Sequence, residues 1–435
     1  MKMSETKEGK QFFTVARIFF LLIVIPLLLV SFLIANGIFQ LGDISKKGAA
    51  AVLDQKAQEE IAMRTAVIAE SVADFLQECE KDTLVATILP ADAEKYREFI
   101  LKNRQALWIK KDGTIVKSAE PMYVEMALVD KAGNEVIKVT DGEIVPKAGL
   151  ANISDPGNTT YKSEDYFART KNLDKGDVYI SHVTGWYVNR TDFENGKRFE
   201  GILRFATPLY DKQGFAGLVT LALDVRHLAR FTDNVIPTQA GYVLESDSST
   251  GNYAYMVDDR GLIISHPDDY TITGLYADGT LVPPVTSKTQ DSMAQKGEGV
   301  LNLFLLGFMD PELPEVAKDA AAGNAGSRIY KFGGYTKFVA YAPIPFYSVN
   351  YPKPAGFGWI GMGLDVDQFN EMALATSQKI EKEASAWMKT IILILVLAVI
   401  ILFLISALLS KGITRSINAE VPEGAEGPYY DDDDD

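Results

Sequence analysis

Two long apolar stretches without a charged residue constrain this chain more than any other feature. Residues 18–41 and 390–410 are 24 and 21 residues long and contain no Asp, Glu, Lys or Arg. At about 1.5 Å of rise per residue, each can cross a hydrocarbon core of roughly 30 Å as a helix. The sequence therefore predicts two transmembrane helices, with the intervening residues on one side of the membrane.

The charges beside these stretches predict their orientation. Four basic residues lie in 1–17, and Lys411 and Arg415 follow the second stretch. Because basic flanks stay cytoplasmic, we expect a two-pass protein of the inner or plasma membrane, with both termini in the cytoplasm and residues 42–389 outside. A cleaved signal peptide is the alternative for the first stretch, although its apolar run exceeds the usual length of about 7–15 residues.

Composition excludes several classes of protein. The chain has 435 residues, a net charge of −15, one cysteine (Cys79) and three histidines. One cysteine rules out an intrachain disulfide and a multi-cysteine metal site, and three histidines leave little for a histidine-built metal centre. Without the charges of 1–17, 411–419 and 420–435, the chain retains a net charge of −11. An acidic ectodomain argues against nucleic acid as a partner.

Periodicity divides the outer segment into a helical part and a β-rich part. Over 42–106, Ala, Leu, Ile and Val recur at three- and four-residue spacings, which predicts one long amphipathic helix. From Trp108 the pattern changes to short β-rich runs separated by Asp/Gly turns, such as DDRG at 258–261. We expect the apolar stripe of the helix to pack on a folded domain or on the same helix of a second subunit.

An internal repeat defines two modules. The string GLVTLALDV at 217–225 recurs as GWIGMGLDV 141 residues later, and LVDKAGNEVI at 128–137 recurs as MVDDRGLIIS 128 residues later. Short strings also match by chance, but this duplication predicts two copies of one α+β module with antiparallel sheets. The first module is placed at 107–235 and the second at 236–366, and a helix at 367–389 leads to the second apolar stretch.

This arrangement resembles the double-Cache sensor domain of prokaryotic transmembrane receptors. The resemblance covers 42–389, and its motifs are SEDYFARTKNLDKGDVYISHVTG at 163–185, ILRFATPLYDKQGFAGLVTLALDV at 202–225, VDDRGLIISHPD at 257–268 and GWIGMGLDV at 358–366. It implies two PAS-like Cache modules behind the long helix, a ligand pocket in the first, membrane-distal module, and a homodimer that signals to a cytoplasmic partner.

The end of the chain resembles the family only briefly. ITRSIN at 413–418 is similar to the opening of a HAMP linker, so 411–419 is interpreted as the start of such a linker. Residues 420–435 have no heptads and end in five Asp, which is typical of a disordered tail. Because the family's output modules do not follow here, the expected alternatives are a shortened receptor, a receptor that delegates its output to a partner, and an artificial end of the sequence.

An aromatic cluster marks the candidate ligand site in the first module. Four polar residues, Lys162, Glu164, Asp165 and Asp177, are mixed with it. Aromatic walls with a few polar anchors suit a small polar ligand, although each ring is also an ordinary candidate for the core. The aromatic residues are Tyr161, Tyr166, Phe167, Tyr179, Trp186 and Tyr187.

Amino-acid-sensing members of the family bind the ligand carboxylate with an Arg and two aromatic residues, and the ammonium with a Tyr and two Asp. In this sequence Glu164 stands in place of the Arg, and Ser181 in place of the first Asp. Because an acid at this position repels the carboxylate of an α-amino acid, we do not expect a standard α-amino acid as the ligand. An amine or an organic acid is expected instead, held by the acidic or by the basic residues of the site. The remaining positions match, with Tyr166 and Phe167 as the aromatic pair, Tyr179 as the tyrosine and Asp224 as the last aspartate.

Other polar residues near the cluster have two interpretations. Lys162, His182 or Arg204 would meet an organic acid, whereas the acids would meet an amine. Asp224 is a candidate ligand contact, but a matching aspartate recurs in the second module, which favours a helix-capping role instead. His266, at a strand end of the second module, is a weaker candidate for ligand contact.

No catalytic site, cofactor or metal is predicted. The sequence contains no GxSxG, Walker, HExxH or CxxC motif, and the twelve-residue calcium loop is absent. The sequence therefore predicts a homodimeric transmembrane receptor for a small extracytoplasmic ligand, acting in chemotaxis or related signal transduction. The alternative is a membrane-anchored interaction or assembly module that reuses the ectodomain without signalling.

Overall fold

The chain divides into two structural units. One consists of Met1–Asp54 and Glu371–Asp435, and the other of Gln55–Asn370. This computed structural model describes residues 4–111, 114–239, 243 and 246–420. Nearly all of the predicted acidic tail at 420–435 therefore lies outside the described residues.

The segment expected to be one helix over 42–106 is interrupted. Helix α1 spans Ser4–Ala86 and α2 spans Ala93–Lys102. Pro90 lies in the break. It explains the interruption, because proline lacks a backbone N–H and disfavours helical backbone in the residue before it. Asp92 then caps α2 by accepting a hydrogen bond from the Lys95 amide at 3.1 Å. The other helices are α3 (Tyr166–Thr170), α4 (Arg190–Glu194), α5 (Arg226–Asp233), α6 (Gln290–Gln295), α7 (Glu312–Ala321) and α8 (Val366–Glu420).

The first module is built on an antiparallel sheet of seven strands. It follows a separate hairpin of two strands, β1 (Arg104–Lys111) and β2 (Thr114–Pro121). Its strands are β3 (Tyr123–Asp130), β4 (Glu135–Thr140), β5 (Glu143–Ile144), β6 (Tyr179–Ile180), β7 (Thr184–Gly185), β8 (Gly201–Asp211) and β9 (Gly214–Asp224). They are ordered β5-β4-β3-β9-β8-β6, and β7 also pairs with β8.

The second module has an antiparallel sheet of five strands in the order β11-β10-β14-β13-β12. Together with the first sheet and the long N-terminal helix, it confirms the predicted α+β fold class. Its strands are β10 (Tyr253–Asp258), β11 (Ile263–Ser265), β12 (Gly326–Phe332), β13 (Tyr335–Ile344) and β14 (Gly358–Asp365).

The backbone confirms the internal repeat. Gly217 and Gly358 begin the repeated strings, and both have positive φ, at +150° and +145°. A Cβ atom at Gly217 would lie 2.1 Å from the carbonyl oxygen of Val129, and one at Gly358 would lie 2.0 Å from that of Val257. Because no side chain fits so close to a neighbouring strand, each module requires glycine at this position.

The apolar stripe of α1 packs on sheets of the same chain. Val72 and Leu76 are fully buried in a cluster that includes Phe205 of the first sheet. Ile61 lies in a second cluster with Ala340 and Met362 of the second sheet. Each of these clusters joins α1 to one of the two sheets.

Two helical segments are long and apolar enough to cross a membrane. They are Phe20–Gly37 in α1, with a mean hydropathy of 2.5, and Glu381–Leu409 in α8, with a mean hydropathy of 3.5. Only 6% of each segment is buried, so their apolar side chains face outward rather than into a protein core. By length and composition, these segments are candidates for the two predicted spans.

Candidate functional site

A cavity of about 280 Å³ lies where the two modules meet. The first module lines it with 163–166, which precede and begin α3, and with 179–185, which run from β6 to β7. The second module contributes Arg260, from the turn between β10 and β11, and loop residues at 274–281. We call this space the seam cavity, because side chains from both modules form its wall.

Five of the predicted site residues line the seam cavity: Glu164, Tyr166, Tyr179, Ser181 and His182. They are 18 residues apart at most in sequence, and the turn into α3 and the short strand β6 bring them together. Of the other predicted residues, Phe167, Trp186, Arg204 and Asp224 do not line it.

Glu164 reaches the cavity already paired with Arg204. The Arg204 side chain is 1% exposed, and its Nε lies 2.5 Å from Glu164 Oε1. Its Nη1 lies 2.6 Å from Oε1 of Glu125, which also pairs with Lys138 at 3.1 Å. Burial raises the pKa of Glu125, but Arg204 and Lys138 more than offset this effect and lower it to about 2. Glu164 is therefore not the unpaired anchor that the sequence suggested.

The buried ion network as a whole keeps a negative balance. Lys138 also lies 2.8 Å from Oε1 of Glu135, so three carboxylates share the two cations Arg204 and Lys138. Because charges of a buried network are only weakly screened, this surplus of one negative charge acts on the cavity in front of it.

Tyr166 separates the buried arginine from the cavity. Its ring lies 4.4 Å from the guanidinium carbon of Arg204, in cation–π geometry. Phe167 points elsewhere and packs against Phe215 with ring centroids 6.2 Å apart. Both rings belong to one buried cluster, together with Ala206 and Leu218 of the first sheet. Of the predicted aromatic pair, Tyr166 lines the cavity and Phe167 does not.

Hydrogen bonds orient the polar wall contributed by the first module. The Tyr179 hydroxyl donates to Asp165 Oδ1 at 3.2 Å, and Arg169 pairs with the other carboxylate oxygen at 2.9 Å. Ser181 Oγ donates to the carbonyl of His182 and accepts the Arg204 amide N–H at 2.9 Å. The wall therefore presents several oxygen atoms that already take part in hydrogen bonds within the first module.

His182 joins the two modules beside the cavity. Its Nε2 lies 2.9 Å from Asp259 Oδ1 of the second module, and its ring packs on Tyr351 with centroids 5.6 Å apart. The Tyr351 hydroxyl donates to the Ser181 carbonyl at 2.9 Å. Contacts from the second module thus hold the segment that lines the cavity.

His182, Asp258 and Asp259 also place three potential metal-ligand atoms within 4.8 Å of one another. Asp258, however, binds the guanidinium of Arg260 at 2.7 Å and accepts the backbone N–H groups of Arg260 and Leu262. Because an adjacent guanidinium opposes a cation, the cluster is better described as an ion-pair network. The expectation that no metal binds stays a prediction.

Asp224 and Trp186 do not line the cavity and have partners within the protein. Asp224 accepts the Arg226 amide N–H at 3.0 Å and pairs with the Arg226 guanidinium at 2.5 Å, directly before α5. A carboxylate that accepts a backbone N–H at the start of a helix favours the helix-capping role over ligand contact for Asp224. Trp186 packs on Tyr161 with ring centroids 5.3 Å apart.

The remaining polar candidates also bond within the protein. The Lys162 ammonium donates to the carbonyl of Ala277 at 2.9 Å, and the Asp177 carboxylate accepts the Asp174 amide N–H at 3.3 Å. Tyr187 donates to the Tyr270 carbonyl at 2.8 Å, which gives it a structural role between the modules.

Sequence reasoning missed Ser163, Val183, Thr184 and Gly185 of the first module and every lining residue of the second module. Arg260, Gly274, Leu275, Gly279 and Leu281 line the cavity, although no motif marks them as site residues. The DDRG turn was recognised only as a hairpin turn. Its lining side chain lies 78 residues from His182 in the chain, so only the packing of the modules brings the two together.

Comparison with known proteins places most of the chain in one family. A sequence model described as a Cache domain matches residues 48–363. No curated protein sequence matches the chain.

Several solved sensor domains are similar at low identity. The ligand-binding domain of the Pseudomonas aeruginosa amino acid chemoreceptor PctC, in complex with GABA, is 13% identical, with a TM-score of 0.38; the match covers 71% of this chain and 99% of that one. That of the Pseudomonas fluorescens chemoreceptor CtaA, with L-isoleucine, is 14% identical, with a TM-score of 0.40, and covers 74% and 98%. The sensory domain of the Campylobacter jejuni chemoreceptor Tlp3 is 10% identical, with a TM-score of 0.41, and covers 74% and 99%.

Proposed function

Because this chain belongs to the Cache domain family, we propose that it is a transmembrane receptor that senses a small polar molecule outside the membrane. The seam cavity is the observation that carries this proposal. A volume of about 280 Å³ holds a small metabolite, and its wall combines an aromatic ring with fixed polar groups. A ligand there touches both modules at once.

The ligand is proposed to be a small amine. Glu164, Asp165 and the Tyr179 hydroxyl supply acceptor oxygens on the first-module side, and the ion network behind Glu164 carries one surplus negative charge. On the other side, Arg260 already uses its Nε and Nη2 atoms to bind Asp258. A protonated amine therefore gains more from this wall than a carboxylate does.

Signalling is proposed to follow from the position of the cavity. A ligand that contacts both modules favours the module arrangement in which both contacts are made, and it shifts the population only by its difference in affinity between arrangements. Residues 366–389 of α8 follow the last strand of the second module directly and lead to the second candidate span. We propose that this helix carries the change inward to the HAMP-like segment at 411–419.

The membrane topology and the dimer belong to the same proposal. Both candidate spans flank Gln55–Asn370, as expected for a two-pass protein with an extracytoplasmic sensor unit. The basic residues outside them, including Lys411 and Arg415, support cytoplasmic termini. A homodimer that acts on a cytoplasmic signalling partner, as in chemotaxis, is the proposed working form.

Thermal unfolding of the full chain in lipid nanodiscs tests this function. The chain is screened against small amines, organic acids and α-amino acids. A ligand at 100 times its Kd stabilises the folded state by roughly 2.7 kcal/mol. We expect at least one amine to raise the Tm of the wild type and to lose this effect in Leu281→Trp. Leu281 lines the cavity, so the larger tryptophan side chain blocks it, and because Leu281 is 45% exposed the fold tolerates the change.

Leu305→Trp is the matched control. Leu305 is also 45% exposed but does not line the seam cavity, so this variant should respond to the amine like the wild type. A response to organic acids alone would overturn the amine assignment. If no compound class stabilises the wild type, or if Leu281→Trp responds fully, the proposed sensing site is wrong.

A further inference from the structure

One turn of the second module, at 266–271, carries contacts to the first module. The Asp269 carboxylate accepts the backbone N–H of Phe199 at 2.6 Å, and Asp269 is only 8% exposed. The carbonyl of Tyr270 accepts the hydroxyl of Tyr187 at 2.8 Å. We call 266–271 the contact turn, because it places these two acceptors against the first module.

His266 orients the contact turn through a hydrogen bond that requires a neutral ring. Its Nδ1 accepts the backbone N–H of Asp268 at 2.9 Å, which assigns the proton of the neutral imidazole to Nε2. The Asp268 carbonyl in turn accepts the amide N–H of Thr271 at 2.9 Å and closes the 3₁₀ turn Asp269–Thr271. A proton on Nδ1 would face the Asp268 N–H, donor against donor, so the charged ring cannot keep this bond.

The surroundings of His266 also disfavour its charged form. Among the described residues, two charged groups face the ring, namely the Asp268 carboxylate of the same turn and the Lys337 ammonium of β13. Strand β10 packs two tyrosine rings on it, and leucines from 301–313 line the small space beside it. Burial and the Lys337 charge lower the pKa of His266 to about 4, although Asp268 acts in the opposite direction.

This difference in pKa makes the stability of the contact turn depend on pH. A histidine exposed to water has a pKa of about 6.5, so an opened turn binds a proton before the closed turn does. The closed turn is therefore fully stable above about pH 6.5 and loses stability as the pH falls toward about 4. Acid favours the form in which the bond between His266 and Asp268 is broken.

We propose that the chain responds to acid on the outer side of the membrane through the contact turn. A proton taken up by Nδ1 of His266 breaks the bond to Asp268 and opens the turn. The turn then releases its two partners in the first module, Phe199 and Tyr187, and the modules hold each other less tightly. The outer location rests on the proposed topology, whereas the acid response needs neither the proposed amine nor the seam cavity.

Hydrogen–deuterium exchange of the full chain in nanodiscs at pH 7.5 and pH 5 tests this response, with rates corrected for the intrinsic effect of pH on exchange. We expect the protection of the Asp268 and Phe199 amides to fall about 25-fold at pH 5, because proton uptake by an open histidine with a pKa of about 6.5 favours the open turn by this factor. Amides inside β8 and β9 should keep their protection, since the opening is local.

Two variants identify the titrating group. His266→Asn removes the ring and keeps an acceptor, because an asparagine side-chain oxygen accepts the backbone N–H two residues on. We expect this variant to be protected like the wild type at pH 7.5 and to lose the acid response. His227→Gln is the matched control, because His227 is also buried and glutamine still provides a donor for the Pro121 carbonyl. This variant should keep the acid response of the contact turn.

Equal protection of the wild type at pH 7.5 and pH 5 would overturn the proposal, whether or not His266→Asn folds. A full acid response in His266→Asn would also overturn it. Loss of the response in His227→Gln would assign the titrating group to α5 instead. A response of the wild type that begins only near the ordinary pKa of a carboxyl group, at about 4, would assign it to carboxylates.

Discussion

Arg204 is 1% exposed and lies between two carboxylates of the first module, Glu164 and Glu125. Its pairing decides what remains available to a ligand, because Glu164 and Glu125 share this one cation. The sequence predicted the residue types at this site. It also showed that Glu164 stands where amino-acid-sensing members of the family have an arginine. It could not predict the pairing, because Arg204 lies 40 residues from Glu164 and 79 from Glu125.

Replacement of Arg204 by methionine is therefore expected to destabilise the fold strongly. Two buried carboxylates would lose their cation, and removal of one partner of a buried pair costs about 3–5 kcal/mol. Chemical denaturation of the full chain measures this loss. The exposed Lys212 provides the control, and Lys212→Met should change the free energy of unfolding by less than about 0.5 kcal/mol.

A double variant separates charge pairing from packing. If the loss comes from unpaired carboxylates, Glu164→Gln combined with Arg204→Met should be more stable than Arg204→Met alone. Equal stability of the single and double variants would contradict the role assigned to this pair. So would an Arg204→Met protein that is as stable as Lys212→Met.

At the scale of elements, the short strand β6 depends on the second module. The Asn350 side chain donates to the carbonyl of Ile180 at 2.5 Å and accepts the amide N–H of the same residue at 3.3 Å. Asn350 therefore extends the pairing of an edge strand that is only two residues long. Through these two hydrogen bonds, the second module helps to hold the segment that lines the cavity.

Asn350→Ala should loosen this segment without unfolding either sheet. We expect amide hydrogen exchange over 179–182 to become about tenfold faster, because the backbone loses both bonds to the second module. Asn172→Ala is the control, because the Asn172 side-chain amide donates to the carbonyl of Ala168 in the first module and does not contact the second. Unchanged exchange over 179–182 in Asn350→Ala would show that the second module does not hold β6.

Regular elements were the most predictable part of the fold. The glycines of the repeat predicted equivalent strands, and positive φ at Gly217 and Gly358 confirms that the repeat has a steric cause. The long helix was expected to continue to about residue 106, but it ends at Ala86, before Pro90. Helical periodicity continued past the break, so the pattern alone did not reveal it.

At the scale of the whole molecule, the packing of the two modules against each other forms the seam cavity. The family resemblance and the aromatic cluster at 161–187 led us to predict a ligand site in the first module. The seam cavity, which we propose as that site, also takes part of its wall from Arg260 and the loop at 274–281 of the second module. Contacts between modules depend on surface shape, which leaves no periodic signal in a single sequence.

Hydrogen–deuterium exchange of the full chain in nanodiscs, with and without a saturating pool of small amines, organic acids and amino acids, tests whether the two modules share a ligand site. We expect slower exchange in both walls of the seam cavity, at 163–166 and 179–185 in the first module and at 274–281 in the second. Protection confined to the first module, or no protection at any of these segments, would contradict a ligand site shared by the two modules.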